Sequence, residues 1–214
     1  MQNFFGLCLS FIFFLLCSLT ALAYSPKEGS VTGTLGSYIY RTNHSDSASG
    51  NSPYLGGFAL IADGDINDHG ALEIAIFHIN KLYFRTQDGH TLVEKTPLLQ
   101  INLGYRYWWN SWLSSSLAFY SSYTMGEPSV VETNFPANSG VETSAHATTM
   151  YGFDFALQQE LWNRGRYSLM LDERYSKSVT SRSGESADHY GVIVGLRYFI
   201  QEKQIVDGPM PKKK

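Results

Sequence analysis

Residues 98–123 read LLQINLGYRYWWNSWLSSSLAFYSSY, and their side chains change character with a period of two on both sides of Asn110-Ser111. That rhythm constrains the fold more than any other feature of the chain. Successive side chains of a strand point to opposite faces, whereas a helix would need a repeat near 3.6. Leu99, Ile101, Leu103, Tyr105 and Tyr107 fall on one face, and Gln100, Asn102, Gly104 and Arg106 on the other. In the second half Leu117, Phe119 and Tyr123 oppose Ser114, Ser116, Ala118 and Ser122. The stretch is therefore expected to be two strands joined at Asn110-Ser111, with one oily face and one polar or small. Alternation alone does not say which face is wet, because a half-buried hairpin of a soluble sheet shows the same pattern.

The rest of the chain supplies the context. Six further segments have strand character: residues 31–41, 54–62, 71–85, 149–162, 167–176 and 190–200. With the two halves of the hairpin they make eight candidate strands, most longer than the about 9–11 residues that a tilted strand needs to cross a bilayer. The connections alternate in kind. Polar loops at 42–53, 86–97, 126–148 and 177–189 follow the odd strands, and shorter turns at 63–70, 110–111 and 163–166 follow the even ones. Long loops thus gather at one end of the sheet and short turns at the other.

Which face is wet then follows from charge. Charged residues make up 16% of the chain, against roughly 25% in ordinary soluble domains. A soluble ligand barrel needs a heavily charged outer surface, but the polar faces here are mostly Gly, Ser, Ala and Gln, with scattered charges. The apolar faces (Tyr151, Phe153, Phe155 and Leu157; Tyr167, Leu169 and Leu171; Tyr190, Val192, Val194, Leu196 and Tyr198) are continuous. Polar-in, apolar-out suits lipid outside and a closed lumen inside. Only helices and closed barrels span a bilayer with their backbone groups paired, and residues 24–214 supply no transmembrane helix. The expected fold is all-β, an eight-stranded antiparallel transmembrane β-barrel. A net charge of −3 gives no electrostatic support to nucleic-acid binding.

Residues 1–23 contain the apolar run FFGLCLSFIFFLLC followed by Ala21-Leu22-Ala23, a small-x-small cleavage pattern of the secretory kind. A signal peptide over 1–23 and a mature chain from Tyr24 are expected, although no Lys or Arg precedes the apolar core. An uncleaved membrane helix is the alternative. Both cysteines, Cys8 and Cys17, fall in this segment, so the mature chain would carry neither a disulfide nor a cysteine metal site. A lipoprotein acylated at Cys17 is disfavoured by the bulky Leu16.

In strand count, loop alternation and inward polarity, residues 31–200 resemble the small eight-stranded outer-membrane proteins of Gram-negative bacteria, the class of the OmpA membrane domain and OmpX. The likeness is architectural, and no family-specific motif is matched. It implies short periplasmic turns, longer extracellular loops, and contact with outer-membrane lipid, both lipopolysaccharide and phospholipid. The last strand, GVIVGLRYFI, resembles the aromatic-ended signal read by the barrel-assembly machinery. The family usually ends there, whereas residues 201–214, QEKQIVDGPMPKKK, continue; they are expected to be a disordered periplasmic tail.

The inward charges are expected near the turns at Glu73, Arg106, Glu160 and Arg197, and nearer the loops at Lys81, Asp154, Asp172 and Arg174, with Asp154 opposite Arg174. An eight-stranded barrel is just wide enough to be filled by its own side chains, so these charges are expected to form a paired plug; a porin-like narrow channel lined by the same residues is the alternative. Trp108, Trp109, Trp112 and Trp162 are expected as an aromatic girdle on the short-turn side. His78 and Glu173 fall on the lipid face by the same count. Asp65, Asn67 and Glu73 share the spacing of a calcium loop of the FG-GAP type, though His69 replaces a ligand carboxylate, and an ordinary polar turn ending at Gly70 is the better reading. A lipid-modifying enzyme would need His, Ser and a carboxylate at the rim. His44, Ser45 and Asp46, and again Ser186, Asp188 and His189, supply the types, but Ser and Asp are common loop formers. No catalytic residues and no cofactor are expected. The expected role is structural or adhesin-like, presenting loops to an extracellular ligand.

Overall fold

The computed structural model describes residues 24–46, 50–136 and 139–200; the expected signal peptide and C-terminal tail lie outside the described residues. Its strands are β1 (Val31–Thr42), β2 (Ser45–Asp46), β3 (Gly50–Asn51), β4 (Leu55–Asp65), β5 (Gly70–Gln87), β6 (His90–Trp108), β7 (Leu113–Thr124), β8 (Ser129–Thr133), β9 (Thr149–Arg164), β10 (Tyr167–Ser178), β11 (Glu185–Ser186) and β12 (His189–Ile200), with one 3-10 turn at Ser144–His146. Eight of them pair in the ring β5-β4-β1-β12-β10-β9-β7-β6, and β6 returns to β5 to close it. Every pairing is antiparallel. Closure leaves the ring no free edge, so its backbone donors and acceptors are paired within the wall. No helix among the described residues is long and apolar enough to cross a membrane.

The faces follow the sequence rhythm. Leu35, Leu60, Leu103, Leu117, Phe119, Phe153, Phe155, Val194 and Leu196 stand exposed on the outside, while the residues between them are buried in the lumen. His78 faces outward and stacks on Phe58 at 5.1 Å between ring centroids, and Glu173 also faces outward. Tyrosines 54, 123 and 151 stand exposed at the long-loop end of this wall, and Tyr107, Trp109, Trp162, Tyr167 and Tyr198 at the short-turn end. Apolar bodies with polar tips suit the two boundaries between hydrocarbon and water.

Three local expectations need correction. The polar loop expected at 86–97 is largely strand: β5 and β6 continue past the rim as one long hairpin that turns at Asp88-Gly89, where φ is 51° and 76°. Asp-Gly with both residues at positive φ is the two-residue turn that matches strand twist. The loop expected at 126–148 contains β8, which pairs with β6, and the 3-10 turn. The turn after β9 is the two residues Gly165 and Arg166, with Gly165 at φ 64°. This tighter turn, together with a bulge opposite Leu169/Met170, places Arg174 opposite Ala156 and Asp154 opposite Ser176, not Asp154 opposite Arg174.

Candidate functional site: the lumen and its two ends

The lumen is layered. Its lower half holds the charges. Arg106 on β6 donates to Glu73 on the neighbouring β5, to Asp63 on β4 (Nε–Oδ1 3.3 Å) and to Asp172 on β10 (Nη2–Oδ2 3.3 Å). Arg174 on β10 donates to Glu73 (Nη2–Oε1 3.0 Å), Asp154 (Nη1–Oδ1 2.8 Å) and Asp172 (Nε–Oδ1 3.0 Å). Arg197 on β12 donates to Gln158 and lies 3.6 Å from Asp63 and 3.7 Å from Glu160. All three guanidiniums are buried, as are these carboxylates. Charges in such a place persist only when each is paired and hydrogen-bonded. The planar five-donor fork of Arg lets one residue hold three carboxylates on different strands.

Apart from Lys81, the two depth groups expected for the charges are thus one network, joined where Glu73 takes both Arg106 and Arg174. Asp63, expected in a turn, is one of its members. Its signal was in the sequence: extending the alternation of Ala59 and Ile61 by one step puts Asp63 inside. Lys81 stands apart from this network. It is buried at the level of the rim with its ammonium 5.1 Å from the Tyr83 ring, because β5 carries it above the arginine layer.

Above the charges the lumen is apolar and aromatic. Tyr38, Tyr40, Ile61, Phe77, Ile79, Tyr83, Leu98, Met150 and Ile193 form one buried cluster, with Tyr38 and Tyr40 stacked at 4.8 Å and His189 edge-on to both. Above this again the loops fold onto the extended β5–β6 hairpin. Glu94 on β6 accepts from Thr143 twice, from N at 3.1 Å and Oγ1 at 2.6 Å, and meets His146 Nε2 at 3.0 Å. Glu185 on β11 accepts from Ser144 N and Oγ at 3.0 and 2.8 Å. Two carboxylates therefore pin the 3-10 turn over the mouth, and β8 and β11 add a strand to each flank of the hairpin. Burial pushes the Glu94 carboxyl up, but the Thr143 hydroxyl and amide and the His146 ring outweigh it and hold it below the usual carboxylate range.

The lower end is closed by residues 24–30. Tyr24 is buried, its ring 4.7 Å from Trp108 and 4.8 Å from Phe199, with its hydroxyl on Asp65. Lys27 N donates to the same carboxylate at 3.0 Å. Trp108 consequently is not part of an outward girdle. By period two it shares the lumen face of Arg106, and Arg197 lies 5.0 Å over its ring. Trp109 and Trp162 do face outward, and Trp112 is half-buried at the turn.

The tentative calcium set does not assemble. Asp65 is turned to Tyr24, Asn67 Oδ1 accepts from His69 N at 2.9 Å within the turn, and Glu73 is held by two arginines. Among the described residues no group of three His, Cys, Asp or Glu could hold a metal ion. The rim candidates are likewise separated. His44 stacks on Phe84 at 4.1 Å with Nδ1 3.3 Å from Ser186 Oγ. Asp188, however, is occupied by Tyr175, Lys177 and Ser178, and His189 points into the lumen. The side chains of residues 45 and 46 lie outside the described residues.

No protein-family model matches the chain, and no curated protein matches its sequence. Solved structures do resemble it. The outer-membrane protein OprG of Pseudomonas aeruginosa superposes with a TM-score of 0.56 at 8% identity, over 86% of this chain and 100% of that one. Ail, the attachment invasion locus protein of Yersinia pestis, solved with the heparin analogue sucrose octasulfate, gives 0.47 at 11% identity over 80% and 99%. Neisserial surface protein A gives 0.38 at 14% identity over 80% and 99%. The likeness to OprG carries the fold argument, at an identity far too low to carry an activity with it. With the fold of OprG and an apolar outer wall around buried charge pairs, the chain is a small eight-stranded transmembrane β-barrel of the Gram-negative outer-membrane type.

Proposed function

We propose that this protein is exported to the outer membrane, does not transport solute, and works through its extracellular face, where the β5–β6 hairpin and the loops packed on it present a surface for interaction. The observation that carries this reading is the filled lumen. Arg174 and Glu73 meet from opposite walls, and Tyr38, Tyr40 and Phe77 fill the layer above them. A barrel whose interior is occupied by its own side chains offers no path, and what remains available to the outside is the cap. The lumen charges act as the plug that keeps the wall rigid beneath it. Lipopolysaccharide and phospholipid are the partners of the wall, and the last strand that of the assembly machinery.

The test uses cells expressing the full chain. Their adherence to surfaces coated with extracellular-matrix protein or sulfated glycan should exceed that of cells without it, and should fall to background when the hairpin is shortened by deleting residues 86–91. Equal adherence of all three on every surface contradicts the surface role. Unaltered lipid A in the same cells is also expected; deacylated or otherwise modified lipid A would point to an enzyme instead.

A further inference from the structure

The floor of the barrel is short of positive charge. Among the described residues its lower lumen holds Asp63, Asp65, Glu73, Asp154, Glu160 and Asp172 against three guanidiniums, Arg106, Arg174 and Arg197. Glu160 shows where the shortage is felt. Its Oε1 accepts from Asn163 Nδ2 at 3.0 Å and from the backbone nitrogen of Tyr24 at 3.1 Å, while Oε2 is buried with the Ser168 side chain beside it and Arg197 Nη1 3.7 Å away, beyond hydrogen-bond distance. The backbone of residue 24, fixed by its ring between Trp108 and Phe199, thus delivers its nitrogen to an incompletely satisfied buried carboxylate. A peptide nitrogen there brings one N–H and no charge, whereas an ammonium brings three N–H groups and a full positive charge, which fits a buried carboxylate far better.

Tyr24 is also the residue that directly follows Ala21-Leu22-Ala23. We infer that the chain is cut between Ala23 and Tyr24, and that the α-ammonium so released is a structural cation of the barrel floor, paired with Glu160. In the cut, water adds across the peptide bond: its oxygen goes to the Ala23 carbonyl carbon, which leaves as a carboxylate on the removed segment, and the nitrogen of Tyr24 keeps the electron pair and is protonated at neutral pH. The reaction is that of an export-coupled peptidase. Processing and closure of the floor then become one event, since the cut gives Glu160 a cation at hydrogen-bond distance, which Arg197 at 3.7 Å does not supply. The aromatic hydroxyl of the new first residue is read by Asp65 and its ring by Trp108, so the floor recognises the terminus by side chain as well as by charge. The inference requires export but not the surface role; a barrel that conducted ions could keep the same terminus.

The full-length gene is expressed and the protein purified in detergent from the outer-membrane fraction. Its intact mass should correspond to a chain starting at Tyr24, and any other start overturns the inference. The α-amine is then acylated in competition, with the protein folded and denatured. Pairing should slow the folded reaction by about tenfold or more, the effect of raising an amine pKa by about one unit, and Glu160→Gln, which keeps the shape and removes the charge, should restore most of the rate. Equal folded and denatured rates in the wild type overturn the inference without recourse to the variant. A slow rate that Glu160→Gln leaves unchanged overturns the pairing.

Discussion

Arg174 on β10 and Glu73 on β5 are joined across the full width of the barrel. Their strands are four steps apart in the ring whichever way it is followed, yet Nη2 and Oε1 are 3.0 Å apart. The bond is a strut through the lumen axis, and Glu73 is also held from the side by Arg106. Truncating Arg174 to Ala leaves Glu73, Asp154 and Asp172 each short of a partner in a buried site, a loss of about 3–5 kcal/mol by comparison with other broken buried pairs. The compact form expected on unboiled gels should therefore melt at a clearly lower temperature. Changing Glu73 to Gln as well should cost less than the sum of the two single changes, because both remove the same bond. An Arg174→Ala protein as heat-resistant as the wild type would show that the strut carries no weight.

Close backbone approach gives a second expectation. A Cβ added at Gly152 would collide with the Lys177 carbonyl and the Tyr120 ring, whereas one at Gly33 on the outer wall would meet nothing within 4 Å. Gly152→Ala should destabilise by about 1–3 kcal/mol through overpacking, and Gly33→Ala should be neutral. Urea unfolding in lipid vesicles distinguishes them, and equal midpoints for the two variants would contradict the register described for β9 and β10.

Leu35 on β1 pairs with Leu196 on β12 and Leu60 on β4, all exposed on the outer wall. An arginine there should be expelled by hydrocarbon. Leu196→Arg is expected to cost about 2–4 kcal/mol in vesicles, the penalty for a cation deep on the lipid face, while Ile200→Arg at the strand end should cost about 0–1. Unfolding free energies that do not depend on this depth would mean that the outer wall is not in lipid.

The cap responds to acid. Because Glu94 is held below the usual carboxylate range in the folded protein, its contribution is present above the ordinary glutamate pKa and is lost as pH falls through its lowered folded value. Amide hydrogen exchange at Thr143 and Ala145 should be protected at neutral pH and speed up as the solution is taken below that range, with the barrel strands unaffected. Glu94→Gln should loosen the same amides at neutral pH by about 1–3 kcal/mol of local opening free energy. Exchange there that ignores both pH and the substitution would place the anchor of the loop elsewhere.

The wall was legible in the sequence because its code is binary. Period-two alternation, strand length and alternating connections name the eight strands and assign Leu103 or Phe119 to lipid without knowledge of any neighbour. The lumen was legible only as a list. Facing follows from parity, so Arg106, Arg174 and Glu73 were assigned inward, but which of them meet depends on strand tilt and on the bulge near Leu169, and neither is written in the local pattern. Composition at the turn points Trp108 to a girdle, but parity puts it with Arg106 in the lumen. Asp63 reads as turn by its polarity, but β4 continues to Asp65 and carries it inward. The extension of β5 and β6 is signalled by Asp88-Gly89, but the polar residues around it read as loop because their partners, Glu142, Thr143 and Glu185, come from two distant connections.

A barrel closed by its own side chains should carry no current. Single-channel recording in a planar bilayer tests this most directly, with purified wild-type protein whose folding is checked by heat-modifiable migration and whose insertion is checked by protease protection in vesicles fused to the bilayer. The expected record is silent at neutral pH over a range of applied voltages. Regular, stable conductance steps from the wild-type protein would contradict it.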